Sequence, residues 1–437
     1  MSTSREKQLE TYREFLKIPS ISAKHMGITE AASYLKDLLQ NKGVESRVMN
    51  TKGHPVVYGE YNIGADRTLL VYNHYDVQPV DPESEWNQDP FSAEVKDGRV
   101  YARGASDNKG TLISRIFGIE DAIGNNDLKV NLKFLYEGEE EIGSPNLHDY
   151  IKENRDLLKA DAVIMEGSQV GDEGRPVVTL GVKGLLYIEL LEETGGTDLH
   201  SSMAAIAQNP VWNLVSALNA IYNGEKVMIP GFYDDIRDLS GVEDKILEEY
   251  PFSEEDTLKF TAQKSLRFTG DRKLVRELFA SPTCNIDGII SGYNGEGTKT
   301  VTPRKASAKL DFRLVPDQDP VKIYDSLKAH LREKGFKGEV REYGLEFPVR
   351  TPPDTNLAKA MIESAQETFG KKPIIMTNSP GTQPMALFTR ELNIGEALSA
   401  IGPGDKNSRA HAPNESVSVE NFYKAIEHTA KFLKIFR

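Results

Sequence analysis

Five short apolar runs in this chain each lead into residues of the types that bind metal ions. Leu69-Leu-Val-Tyr72 is followed by His74 and Asp76, and Leu132-Lys-Phe-Leu-Tyr136 by Glu137-Gly-Glu-Glu-Glu141. Ala162-Val-Ile-Met165 runs into Glu166, and Val100-Tyr101 leads through Arg103-Gly-Ala-Ser106 to Asp107. A fifth run, residues 398–401, precedes a glycine-rich loop that carries His411. Imidazole nitrogens mixed with carboxylate oxygens suit zinc, manganese or cobalt rather than calcium. Two histidines shared among three carboxylates fit a dinuclear site, one carboxylate bridging ions about 3.5–4 Å apart. Asp76, two residues beyond His74 on the same strand face, is placed to accept the imidazole's other N–H.

Each residue also has a plain structural role. A lone histidine at a strand end is more often structural than ligating, an acidic triplet suits a helix N-terminus, and Asp107 beside Ser106 reads as an N-cap. Coincidence favours chemistry. Open α/β sheets bind ligands beyond the carboxyl ends of their strands, so residues at several strand ends meet if one sheet carries them. Residue type and spacing leave open which of Glu139, Glu140 and Glu141 binds metal and which moves a proton.

The elements needed for such a sheet are legible. Helical periodicity marks residues 5–17 and 31–42, the second ending at Gly43 as a C-cap would. Strand-like runs cover residues 55–61, 68–72, 130–136 and 162–165. Alternating strands and helices imply an α/β fold, a mostly parallel sheet with helices on both faces. From Gly184 the texture changes. Residues 305–314 alternate strictly, with Ala306, Ala308, Leu310, Phe312 and Leu314 on one side, which reads as a strand with one face open to solvent. Val211, Trp212, Val215, Leu218 and Ile221 stripe one helix, and Ile323, Tyr324, Leu327 and Leu331 another. The α/β texture returns after Pro352 and Pro353, with helices expected at 356–369 and 419–436. The expected organisation is a catalytic domain of residues 1–183 and 349–437, interrupted by an α+β sandwich of residues 184–348.

With 437 residues, two domains are the expectation. The net charge of -13 argues against a nucleic-acid or anionic-membrane partner. Cys284 is the single cysteine, so no intrachain disulfide forms and a reducing compartment is expected. The first 18 residues contain no apolar signal-peptide region, and no run approaches membrane-spanning length. A cytoplasmic location follows as the expectation.

The ordered motifs resemble the M20 family of metallopeptidases, which includes cytosolic dipeptidases, carnosinases, glutamate carboxypeptidases and aminoacylases. The blocks are His74-Tyr-Asp76-Val-Gln-Pro79, Gly104-Ala-Ser-Asp107-Asn-Lys-Gly110, Glu137-Gly-Glu-Glu-Glu-Ile-Gly-Ser144, Glu166 and Asp198-Leu-His200-Ser-Ser202. Thr300-Val-Thr-Pro303, Arg313-Leu-Val-Pro316 and Ala410-His411-Ala-Pro-Asn-Glu415 complete the series. The resemblance implies two zinc ions per subunit, with manganese or cobalt as substitutes. His74 and Glu166 would bind one ion and Glu141 and His411 the other, with Asp107 bridging both and often followed by a cis peptide. Glu140 would be the general base and Asp76 the partner of His74. His200 would stabilise the oxyanion in the active site of a partner subunit, which implies a homodimer built through the inserted domain. Arg313 matches a carboxylate-binding arginine, and Thr300, Gly381 and Thr382 resemble further substrate contacts.

The implied activity is an exopeptidase acting on dipeptides or short peptides with a free C-terminal carboxylate. In the family it resembles, many dipeptidases and aminopeptidases carry Asp at the position of Glu166 and carboxypeptidases and aminoacylases tend to carry Glu, whereas residues 282–303 look closer to the dipeptidase branch. After His200 the chain reads Ser201-Ser-Met-Ala-Ala rather than the commoner Ser-Gly-x-x-Gly-Gly, which implies a stiffer loop. The main rival is an N-acyl-amino-acid amidohydrolase on the same scaffold. A dinuclear phosphoesterase lacks support, since there is no glycine-rich phosphate cradle or basic cluster near the ligands. A binding protein that has lost catalysis conflicts with the presence of all five ligands and the base.

Overall fold

The computed structural model describes residues 3–437. Four apolar strands lie side by side and parallel at the centre of an eight-stranded sheet, in the order Asn131–Glu137, Thr68–His74, Ala162–Val170, Glu396–Asp405. Burial on both faces explains their near-continuous apolar sequences. Leu69 and Val71 face one core and Leu70 and Tyr72 the other, the period-two alternation of a strand. Val56–Tyr61 and Glu45–Met49 extend one edge antiparallel, and Val177–Thr179 runs antiparallel to Glu396–Asp405 on the other. Helices Arg5–Leu16, Ile28–Asn41, Lys109–Gly124, Asn356–Phe369 and Val419–Ile435 cover one face. Leu147–Glu153 and Met385–Glu391 cover the other.

A second, four-stranded antiparallel sheet has the order Asn285–Ser291, Lys305–Leu314, Gly184–Glu193, Glu339–Glu346. Leu186, Ile188 and Leu190 join the alternating apolar residues of Lys305–Leu314 under helices Pro210–Ile221 and Pro320–Glu333. The chain passes between the sheets twice, side by side, where Gly181–Val182 pairs with Val349–Arg350. A Cβ at Gly181 would collide with the Val349 carbonyl, so the close approach requires glycine there.

Several expectations need correction. Val100–Tyr101 belongs not to the main sheet but to a small antiparallel one, where Arg99–Tyr101 lies between Glu94–Lys96 and Ser416–Ser418. Ser307 and Asp311, on the face expected to be open, are both buried. Asp311 accepts a hydrogen bond from Asn285 on the neighbouring edge strand and pairs with Arg313. Helix Pro210–Ile221 turns Leu214, Ala217 and Ile221 inward, leaving Trp212 71% exposed. Among the described residues no helix is long and apolar enough to cross a membrane.

The two helices Asn356–Phe369 and Val419–Ile435 enclose the His428 imidazole, whose Nε2 lies 3.1 Å from Ser364 Oγ. Burial pushes its pKa from 6.5 down to about 3. Below about pH 6.5 the unfolded chain takes up a proton that the folded chain refuses, so stability present above that pH is lost as pH falls toward 3. The slope is about 1.4 kcal/mol per pH unit. Urea melts between pH 7 and 5 should therefore show an acid-side slope that is shallower by about that amount in His428→Gln. Equal slopes would contradict the buried neutral imidazole.

Candidate metal centre

His74 ends the strand Thr68–His74, and the ladder to Ala162–Val170 stops just before it, at Val71 opposite Ile164. Beyond that pair the sheet opens into a crevice. Glu166 enters through an irregularity: Met165 pairs with Ser399 and the next pair is Ser168 with Ile401. Two residues thus oppose one, a bulge that redirects a side chain. Glu140–Ile142 is a short 3-10 turn after strand Asn131–Glu137. His411 lies in a loop where Arg409, His411 and Asn414 all have positive φ. Left-handed backbone at non-glycine residues is costly and persists where the surroundings impose it.

These elements bring seven of the expected residues together. His74 Nε2 lies 3.0 Å from Asp107 Oδ1 and 3.1 Å from Glu166 Oε2. His411 Nε2 lies 3.0 Å from Asp107 Oδ2 and 3.2 Å from Glu141 Oε2. Asp107 thus turns one oxygen toward each histidine, and the Asp107–Asn108 peptide is cis. Glu140 Oε2 stands 4.0 Å from His74 Nε2. Glu139 turns away, accepting hydrogen bonds from His54 N and Asn146 Nδ2. The His74–Asp107–Glu166 and Asp107–Glu141–His411 groups each place their ligand atoms within 4.8 Å of one another. Tetrahedral bonds of about 2.1 Å set donors about 3.4 Å apart. The donor atoms and their spacing therefore fit a cation in each group.

Two carboxylates act on the backbone instead. Asp76 accepts the N–H groups of Glu140 (3.2 Å) and Glu141 (3.1 Å), and its Oδ1 lies 3.3 Å from His74 Nδ1. The His74 ring also meets the Asp76 carbonyl at 3.1 Å. Glu415, fully buried, accepts Ser106 N (2.8 Å) and Asp107 N (3.0 Å) on Oε1, and Gly104 N (3.0 Å) and Arg103 Nη1 (2.8 Å) on Oε2. It ties the Asp107 loop to the loop of His411. Gln78 fixes Glu141 from the side, its Nε2 2.9 Å from Oε2.

Electrostatics follow from this crowding. Burial opposes a charged His74, but Glu166 and the bonds to Asp107 and Asp76 outweigh it and hold its pKa well above the usual value. Bonds to Asp107 and Glu141 raise His411 to about 10. Burial would raise Asp107, yet the two imidazoles hold it below the ordinary carboxylate range. Burial, together with Glu166, Asp107 and Glu141, pushes Glu140 well above that range despite His74.

The remaining expected residues form two other groups. Arg313 Nη1 donates to Thr382 Oγ1 at 2.8 Å, so the second sheet reaches the turn at Gly381 and Thr382. Lys183 shapes that turn: its N–H bonds Gly381 O at 3.1 Å, and its carbonyl accepts Thr382 Oγ1 at 2.9 Å. His200 is exposed and bonds Ser202 and Thr300 rather than the centre. Because its Nδ1 accepts the Ser202 N–H, its Nε2 carries the proton in the neutral ring and donates to Thr300 Oγ1 at 3.0 Å. Lys183, Gln78 and the anchoring role of Glu415 were not anticipated. Lys183 carries no sequence signal, whereas Glu415, four residues after His411, lies within a quoted motif.

A crevice at the carboxyl edge of a parallel sheet, with two groups of histidine and carboxylate donors sharing one aspartate, belongs to a metal-dependent hydrolase. Residues 70–435 match the model of peptidase family M20/M25/M40, and the chain belongs to that family of metallopeptidases. It is 30% identical to the Cys-Gly metallodipeptidase dug1 of Schizosaccharomyces pombe over 85% of this chain and 81% of that protein. The Beta-Ala-His dipeptidase of Homo sapiens is 26% identical, with 87% of this chain and 77% of that protein covered. Among solved structures, the M20 family metallo-carboxypeptidase Sso-CP2 from Sulfolobus solfataricus is 51% identical, with a TM-score of 0.92 over 98% of this chain and 99% of that one.

The carboxylates beside His74 and His411 raise both imidazole pKa values and so favour the protonated rings when no metal is bound. Metal binding requires neutral imidazole, so it displaces protons and weakens as pH falls. Zinc titration calorimetry in buffers of different ionisation enthalpy should report about two or more protons released per chain at pH 7. Release near zero would contradict the arrangement.

Proposed function

We propose that this chain is a dinuclear zinc exopeptidase that hydrolyses dipeptides or short peptides bearing a free C-terminal carboxylate. The observation that carries the reading is the Asp107 carboxylate, one oxygen facing His74 and the other His411. In this reading His74 and Glu166 would hold one ion and Glu141 and His411 the other, with Asp107 shared between the two groups. Manganese or cobalt would serve the same donors.

When bound, such a metal pair would supply positive charge for the scissile carbonyl oxygen and would lower the pKa of a nearby water toward neutrality. Glu140, beside His74 and free of the backbone bonds that occupy Asp76, takes the water's proton and delivers it to the leaving amine. Its raised pKa falls once cations sit beside it, which brings it toward the range a general base needs. Asp76 keeps His74 and the Glu140–Glu141 turn in register. Arg313, with Thr382 and Gly381, is suited to grip the substrate carboxylate through its planar fork.

His200 is the proposed oxyanion donor, and its place outside the centre suits a donor supplied to a partner's site, with Thr300 at its side. The strand Asn285–Ser291 is an edge strand that exposes Ile286, Ile289 and Ile290. An unprotected apolar edge invites pairing with another chain, which supports a homodimer formed through residues 184–348. The single Cys284 and the acidic balance support a cytoplasmic protein with no nucleic-acid or membrane partner.

The metallo-carboxypeptidase relative supports cleavage at a C-terminal residue, and the two dipeptidase relatives support small peptide substrates. Glu166 keeps an N-acyl-amino-acid amidohydrolase as the second reading. A panel of dipeptides, tripeptides and N-acetyl amino acids, read by mass spectrometry, separates the two. Unblocked peptides should be cleaved, and Glu140→Gln should retain metal while losing about 10²–10⁴-fold in kcat. Cleavage of the acetylated compounds alone, or a Glu140→Gln turnover near wild type, would overturn the reading.

A further inference from the structure

Helix Lys109–Gly124 is buried over most of its surface, with Arg115 in the middle of the apolar stretch Leu112-Ile-Ser-Arg-Ile-Phe117. Arg115 is 1% exposed, and its guanidinium spreads across three adjacent strands. Its Nη1 donates to Tyr72 O (3.0 Å) and Asn73 Oδ1 (2.9 Å), and its Nη2 to Met165 O (2.6 Å) and Ala400 O (3.2 Å). These acceptors lie where the sheet parts. Tyr72 and Met165 follow the last ladder pair of their strands, Val71 with Ile164, and Ala400 faces the bulge at Glu166. Carbonyls that lose ladder partners inside a protein need other donors, and one planar fork meets three of them.

Those same acceptors adjoin metal ligands. Asn73 precedes His74 and Met165 precedes Glu166. From Asn73 the contact continues: its Nδ2 donates to Asn108 Oδ1, and Asn108 Nδ2 donates to Glu166 Oε2. A guanidinium only donates and an ionised carboxylate only accepts, so both amides can sit only one way round. The relay therefore has a direction, from Arg115 through Asn73 and Asn108 to Glu166. Glu141 is held by other contacts: its carboxylate accepts from Gln78 Nε2, and its backbone N–H donates to Asp76.

We infer that Arg115, acting through Asn73 and Asn108, is a positioning residue that sets the metal affinity of the His74–Asp107–Glu166 group selectively. The inference rests on the reading of the centre as two cation sites sharing Asp107. A lysine keeps the charge but cannot span four acceptors on three strands.

The test is cobalt titration of the stripped full-length protein, followed by visible absorption, in two backgrounds. His411→Ala leaves the first group whole, and Glu166→Ala leaves the second. In the His411→Ala background, Asn108→Ala and Arg115→Lys should each weaken cobalt binding about 10–100-fold. In the Glu166→Ala background each should shift it by less than about three-fold. Asn108→Ala removes only one amide, so it carries the test if Arg115→Lys does not fold, with circular dichroism in chelator as the check. Equal losses in both backgrounds, or none in either, would overturn the inference. One cobalt per wild-type chain would overturn the two-site reading with it.

Discussion

Four carboxylates, those of Asp107, Glu140, Glu141 and Glu166, crowd around two imidazoles in a crevice where water screens them poorly. Unpaired, such charges repel strongly, and a buried group sheds its charge rather than bear the cost. That pressure shows in the shifts: protons are held on His74 and His411, and Glu140 is pushed toward its neutral form. Divalent cations relieve the same repulsion more fully. The donors have the types, the separations and the open side that such cations need.

The acids of this region divide by what they touch. Asp76 and Glu415 face backbone N–H groups and hold chain segments in place. Asp107, Glu141 and Glu166 face the histidines. Asp76 locks the Glu140–Glu141 turn to the end of the His74 strand, and Glu415 locks the Asp107 loop to the His411 loop. Beneath them Arg115 closes the gap from which the crevice opens. Rigid second-layer contacts of this kind place ligands more accurately than loops left to themselves.

Much of this was readable from residue patterns, and the failures have physical causes. The strands around Leu69–Tyr72 and Leu132–Tyr136 were visible because strands buried on both faces must be apolar throughout. Helices Asn356–Phe369 and Val419–Ile435 were visible because amphipathic period and helix register agree. Trp212 was misplaced because its spacing matches a stripe, while the helix turns by one position to seat Leu214 and Ala217. Tyr101 was assigned to the wrong sheet because a three-residue strand carries no sign of its partner. In the centre, residue types and strand ends pointed to His74, Asp107, Glu166 and His411, but the choice within Glu139–Glu141 needed the family motif. Asn108 and Arg115 were missed, although an arginine inside an apolar helical run is a visible anomaly, since such a charge must find buried partners.

The central claim is that Asp107 joins two cation sites. Anomalous diffraction at the zinc edge, from crystals of the zinc-loaded protein, tests it directly. Two peaks about 3.5–4 Å apart are expected, one among His74, Asp107 and Glu166 and the other among Asp107, Glu141 and His411. A single peak, or a pair of peaks without Asp107 between them, would contradict the account.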